Sequence, residues 1–152
     1  MAGALVDRLG ERPFLVLGPL LQAVGMGWLA LIAEAGMPYG RMIAPLVIAG
    51  VGISMSLPAA QTAVVGAVPE EAIGKATGTN TTLRELGGVF GIAISVACFG
   101  AAGGYASPTD FADGFVAAMG VAAALSLLAV CAGLLLPAGG RVGAPAAVGA
   151  ES

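Results

Sequence analysis

Charge is what this chain has least of: 10% of its 152 residues are Asp, Glu, Lys or Arg, against about 25% in an ordinary soluble domain. So few charges leave a water-soluble fold almost nothing to cover its surface with, which excludes that class. Histidine is absent, and the two cysteines, Cys98 and Cys131, each lie inside an apolar run with no second ligand at metal spacing. No metal site is expected, and both cysteines read as small buried hydrophobes. A net charge of −3 carries no basic footprint, so a nucleic-acid partner is excluded. Without a Ser-His-Asp, Cys-His or paired-carboxylate arrangement the chain is not expected to be an enzyme, and no cofactor is called for.

What is present is apolar: 58% of the residues are hydrophobic and 25 are glycine. That excludes low-complexity disorder and fits close helix packing in lipid. Charges bound four uncharged windows, Pro13 to Ala33, Met42 to Pro69, Leu86 to Thr109 and Gly114 to Gly140. About 20 residues at 1.5 Å each cross the hydrocarbon core, and every window reaches that length. The expected architecture is therefore all-α and polytopic, with four transmembrane helices at 13–33, 42–65, 73–103 and 115–136. Residues 1–12 form a loop before them. The Gly-, Ala- and Pro-rich stretch 137–152 has no periodicity and reads as a disordered tail. A secretory signal competes for the first window, with Arg8 and Arg12 ahead of it and Ala33 to Ala35 as a cleavage pattern. Its apolar run exceeds the usual signal core, and three spans remain on either reading.

Lys and Arg between the spans number two (Arg8, Arg12), one (Arg41), two (Lys75, Arg84), none and one (Arg141). Five of the six fall in alternate segments, which places both termini in the cytoplasm of a multi-pass plasma-membrane protein. Trp28, Tyr39 and Tyr105 all fall near the opposite boundary, where amphipathic rings settle.

The spans differ in polarity. At 100° per residue, Thr77, Asn80, Thr81, Arg84, Gly88, Gly91 and Ser95 of the third helix share an arc of roughly 100°. The second helix carries Ser54, Pro58 and Gln61 on one stripe with Gly50, and Thr62 at its edge. Hydrocarbon cannot solvate such stripes, so the two helices are expected to face a shared interior, with Ser54, Gln61, Thr77, Asn80, Thr81 and Arg84 lining a cavity. A plainer reading stays open for several of them. Ser54, Thr62 and Ser95 can bond their own backbone, and Arg84 can snorkel to the interface beside Glu85. The amides of Gln61 and Asn80 cannot satisfy themselves in lipid. The first and fourth helices carry only Gln22 and Ser126 and read as lipid-facing scaffold. Glycines at four-residue spacing on the third helix, Gly87 and Gly91 among them, read as a packing face. Pro58, shortly after Gly50 and Gly52, predicts a kink or broken turn. No Asp or Glu lies inside an apolar span, so the usual equipment for proton coupling is missing.

The opening segment GALVDRLGERP is similar to the cytoplasmic signature loop of the major facilitator superfamily: Gly3, Asp7, Arg8, Gly10 and Arg12 match, and Pro13 departs where a second basic residue is common. GVGISMSLP at Gly50 to Pro58 and LRELGGVFGIAI at Leu83 to Ile94 resemble late helices of the fourteen-span multidrug-efflux branch, which is made of drug:proton antiporters. The resemblance runs up to Pro137. It implies peripheral first and fourth helices, a cavity-lining second helix, and a third at the interface between two halves. It also implies a gating role for Asp7 and Arg8 through charge contacts with neighbouring helix ends. Family members need two six-helix halves, so the expectation is the C-terminal part of a secondary transporter. Its partners would be the remaining N-terminal helices, membrane lipid and a small-molecule substrate. Two alternatives are a small four-helix subunit or scaffold that oligomerises through its glycine stripes, and a nonfunctional remnant.

Overall fold

A computed structural model describes residues 12–135. They form four α-helices, α1 (Arg12–Ile32), α2 (Gly40–Gly66), α3 (Ile73–Ala102) and α4 (Pro108–Leu135), with one 3₁₀ turn (Glu70–Ala72) leading into α3. There is no strand among the described residues. All four helices are long and apolar enough to cross a membrane. The short connections make successive helices antiparallel, so the end of α1 and the starts of α2 and α4 meet around Ala33–Met37, Met42 and Pro108–Phe115.

The core lies between α1 and its two neighbours, α2 and α4; α3 rests mainly on α4 and touches α2 only lightly. This corrects the expected pairing of the second helix with the third. The reason lies in side-chain size along α1 and α2. Gly18 and Gly25 are seven residues apart on α1, hence on one face, and α2 buries Pro45, Ala49, Gly52 and Ala59 opposite them. A Cβ added at Gly25 would lie 2.5 Å from the Pro45 carbonyl oxygen and 2.7 Å from the Ala49 nitrogen. One added at Gly18 would meet the Ser56 hydroxyl and lie 2.8 Å from the Gly52 carbonyl oxygen. Backbones that approach this closely pack by dispersion over a long seam. On the other side, Gly133 of α4 sits against the Leu15 carbonyl, 3.0 Å from an added Cβ.

Three further expectations need correcting. The fourth helix starts at Pro108, ahead of the expected Phe115, because Ser107 caps it: its hydroxyl accepts from the Asp110 amide at 3.0 Å. Ser at the N-cap, Pro at the first helical position and Asp in the first turn are the residues such a start favours. Using Asp110 and Asp113 as boundaries hid this signal. Cys131 is exposed on the outside of α4, not buried, while Cys98 is half-buried. α2 is continuous as a helix through both Pro45 and Pro58, so the turn at Pro58 is not broken.

Ser107→Ala removes the cap and costs about 1 kcal/mol. That lowers the thermal midpoint of the detergent-solubilised chain by roughly 3 °C; an unchanged midpoint would show that the cap contributes nothing.

Candidate functional site: a polar cleft shared by four helices

The arc of polar and small residues on α3 borders a cleft of about 720 Å³. From α3 it is lined by Arg84, Gly87, Gly88, Gly91, Ile92, Ser95 and Val96, and from the other helices by Pro19, Gln22, Ser56 and a face of α4 that includes Ser126. Gln22 and Ser126, the two polar residues of helices that read as scaffold, therefore turn to the same space as Arg84 and Ser95. These residues lie near the middle of α1, α2 and α4. The mid-height of a helical bundle is where intramembrane polar groups mark a site.

Among the described residues, Arg84 is the one charged residue lining the cleft, and no carboxylate lines it. Its guanidinium donates to the Glu85 carboxylate at 3.1 Å, with the two side chains 48% and 71% exposed. An ion pair that open is weak, on the order of 0–1 kcal/mol, so this partner is easily exchanged. The hydroxyls of Ser56 and Ser126 donate to the carbonyl oxygens four residues back, Gly52 and Ala122, both at 2.9 Å. Their protons are committed, so each oxygen offers the cleft an acceptor. The Gln22 amide has no hydrogen-bond partner among the described residues and can both donate and accept.

Of the residues expected to line a cavity, Arg84 borders this cleft and the rest do not. Gln61, Thr77, Asn80 and Thr81 are half-buried outside it, the last three in the turns of α3 before Arg84. Ser54 is exposed and its hydroxyl donates to the Gly50 carbonyl at 2.9 Å; Thr62 donates likewise to Pro58 at 3.0 Å. Both hydroxyls satisfy themselves on their own helix, the plainer of the two readings. Ser56, two residues on and on the opposite face, is the serine that α2 brings to the cleft. Gly50, Gly87 and Gly91 have nothing within 4 Å of an added Cβ. No described element packs on them, although Gly87 and Gly91 form part of the cleft floor. Pro58 is half-buried within α2. Gly3, Asp7, Arg8 and Gly10 lie outside the described residues, and Arg12 enters only as the first residue of α1.

Aromatic rings, of which the sequence reading singled out Tyr105 alone, gather where α3 turns into α4. Phe99, Tyr105 and Phe111 pack mutually in tilted and edge-on pairs at centroid distances of 5.1 to 6.0 Å, and Phe115 stacks on Phe111 at 6.4 Å. Offset and tilted pairs at such distances favour one another beyond their burial. They fix the end of α3 to the start of α4 and hence the angle at which α3 borders the cleft.

Four membrane-length helices around one mid-height polar cleft define a multi-pass helical membrane protein. The chain belongs to the Major Facilitator Superfamily, whose model matches residues 1–149, and its four helices are a partial fold of that transporter family. It is similar to the cephamycin export protein CmcT of Amycolatopsis lactamdurans, 30% identical over 131 residues that cover 83% of this chain and 26% of that protein. The chain thus spans about a quarter of the length of the curated relative it matches. No solved structure matches it.

Proposed function

We propose that the chain supplies four helices to a secondary transporter that exports a drug-like small molecule across the plasma membrane by alternating access. The observation that carries this reading is the cleft: polar groups from four helices converge on one space of about 720 Å³, within the roughly 300–1,000 Å³ of small-molecule sites. The name of the cephamycin exporter supports the outward direction. The fourteen-span drug-antiporter branch fits the motifs Gly50 to Pro58 and Leu83 to Ile94. In this assignment the remaining helices of the transporter supply the opposite wall of the path and the coupling carboxylates, lipid surrounds the outer faces, and both termini are cytoplasmic. Arg84 contributes to the substrate path, and Asp7 and Arg8 to the gate.

Export of a fluorescent drug from cells that produce the complete transporter tests the assignment. Arg84→Ala lowers the export rate about tenfold, the effect of losing an ionic contact to substrate, with the amount in the membrane unchanged. Asp7→Asn slows turnover with little change in the half-saturating concentration, because a gate acts on the conformational step. Unaltered export in both variants at normal expression would sink these roles.

Gly74, Gly78 and Gly100 share one side of α3 with nothing within 4 Å of an added Cβ, which favours a second reading as a small subunit that oligomerises through that side. Light scattering on the purified chain separates the two: a stable dimer that Gly100→Leu converts to monomer supports the subunit, and a monomer at all concentrations removes it.

A further inference from the structure

We infer that the cleft selects an organic anion, a molecule whose carboxylate pairs with Arg84 and whose N–H or O–H groups are received by Ser56 and Ser126; this rests on the reading of the cleft as a small-molecule site. Three observations converge on it. Arg84 is the one charge among the described lining residues, and no described Asp or Glu lines the space to balance it there. Its present partner, Glu85, is 71% exposed and lies outside the lining, so an incoming carboxylate competes with a solvated neighbour for the guanidinium. A guanidinium also holds a carboxylate by two parallel hydrogen bonds, which an adjacent side chain bound at a single contact of 3.1 Å does not use.

The neutral groups set the rest of the ligand's chemistry. The hydroxyl protons of Ser56 and Ser126 are held by Gly52 and Ala122, so these two positions reward a donor on the ligand. A ligand bearing only acceptors would find the Gln22 amide and the Ser95 hydroxyl as its neutral side-chain donors among the described lining residues. Between the polar points the lining is glycine, alanine, Pro19, Ile92, Val96 and Leu125, which suits a flat apolar body. The ligand class is thus an amphiphilic carboxylate of drug size with at least one N–H or O–H group.

Dansyl-phenylalanine and its methyl ester are a matched pair of probes, identical except for the anionic charge. Fluorescence anisotropy is measured on the full chain in lipid nanodiscs. The acid is expected to bind at least tenfold more tightly than the ester. Arg84→Gln brings the acid down to the ester's affinity and leaves the ester unchanged. Glu85→Gln removes the competitor and tightens the acid severalfold without affecting the ester. Equal binding of acid and ester to the unsubstituted chain overturns the anion selectivity and leaves the cleft reading standing. Binding of neither probe overturns both. The acid-to-ester ratio on the unsubstituted chain decides the matter even if a variant misfolds, and the helical circular-dichroism signal of each variant reports that directly.

Discussion

Gly25→Val forces α1 away from α2 and unfolds the chain at markedly lower temperature than the parent. The added Cβ alone would stand 2.5 Å from a carbonyl oxygen, 2.7 Å from an amide nitrogen and 2.9 Å from the Ala49 Cβ. Two of those three atoms are backbone, which cannot rotate aside as a side chain can. Overpacking a core costs about 1–3 kcal/mol where neighbours can adjust, and a backbone obstacle places this change at or above the upper end. The β-branch adds two further methyl groups to a seam that has no room for one. For a chain of this size a loss of about 3 kcal/mol lowers the thermal midpoint by roughly 10 °C. Scanning calorimetry or a fluorescence melt in detergent measures it. A midpoint within a few degrees of the parent would mean that the α1–α2 approach is not what holds the bundle together. Gly52→Val attacks the seam from the other side, where the added Cβ meets the Gly18 carbonyl and lies 2.7 Å from the Gln22 nitrogen, and is expected to behave in the same direction.

The contrast between these glycines and those of α3 shows how much of the molecule was legible in its residues. Membrane class and helix number were legible, because runs of 20 or more apolar residues have few alternative structures in lipid. The face of α3 was legible too: Arg84, Gly88, Gly91 and Ser95 were placed on one arc by periodicity, and the structure finds them along one cleft. Which helix lies opposite was not legible. Periodicity gives the direction of a side chain around its own axis and says nothing of the neighbour it meets. The four-residue glycine pairs of α3 therefore suggested packing where the chain leaves open space, while the seven-residue pair Gly18 and Gly25, where two backbones do meet, went unread. Gln22, Ser56 and Ser126 were missed for a related reason. Gln22 and Ser126 are single polar residues on otherwise apolar helices and have no period, Ser56 lies on the face of α2 opposite its polar stripe, and only proximity across helices assembles the three with Arg84. The start of α4 was hidden differently, by treating Asp110 and Asp113 as outside the helix when acidic residues are favoured in its first turn.

Gly88→Phe is expected to leave the fold intact and abolish ligand binding and export. Gly88 lines the cleft and an added Cβ there meets nothing within 4 Å, so the ring enters free space instead of displacing an element. In stability the change is close to neutral or slightly favourable, because glycine inside a helix costs about 1 kcal/mol relative to alanine and phenylalanine recovers part of that. In function it is severe. The ring occupies the space between Arg84 and the serines of the other helices, so a ligand loses simultaneous contact with both. Loss of a well-packed site of this kind is expected to weaken binding at least a hundredfold, about 2.7 kcal/mol. Export by the complete transporter falls to background with normal abundance in the membrane. The decisive comparison is Gly88→Phe against Gly74→Phe: the same residue exchange on the same helix, with open space around both positions, but with Gly74 far from the cleft. If the two variants export equally well, substrate does not pass between α3 and the α1–α2–α4 group. If Gly74→Phe alone is inactive, the working surface of α3 lies in the turns that carry Thr77, Asn80 and Thr81, and the path runs along that polar stretch instead of the cleft.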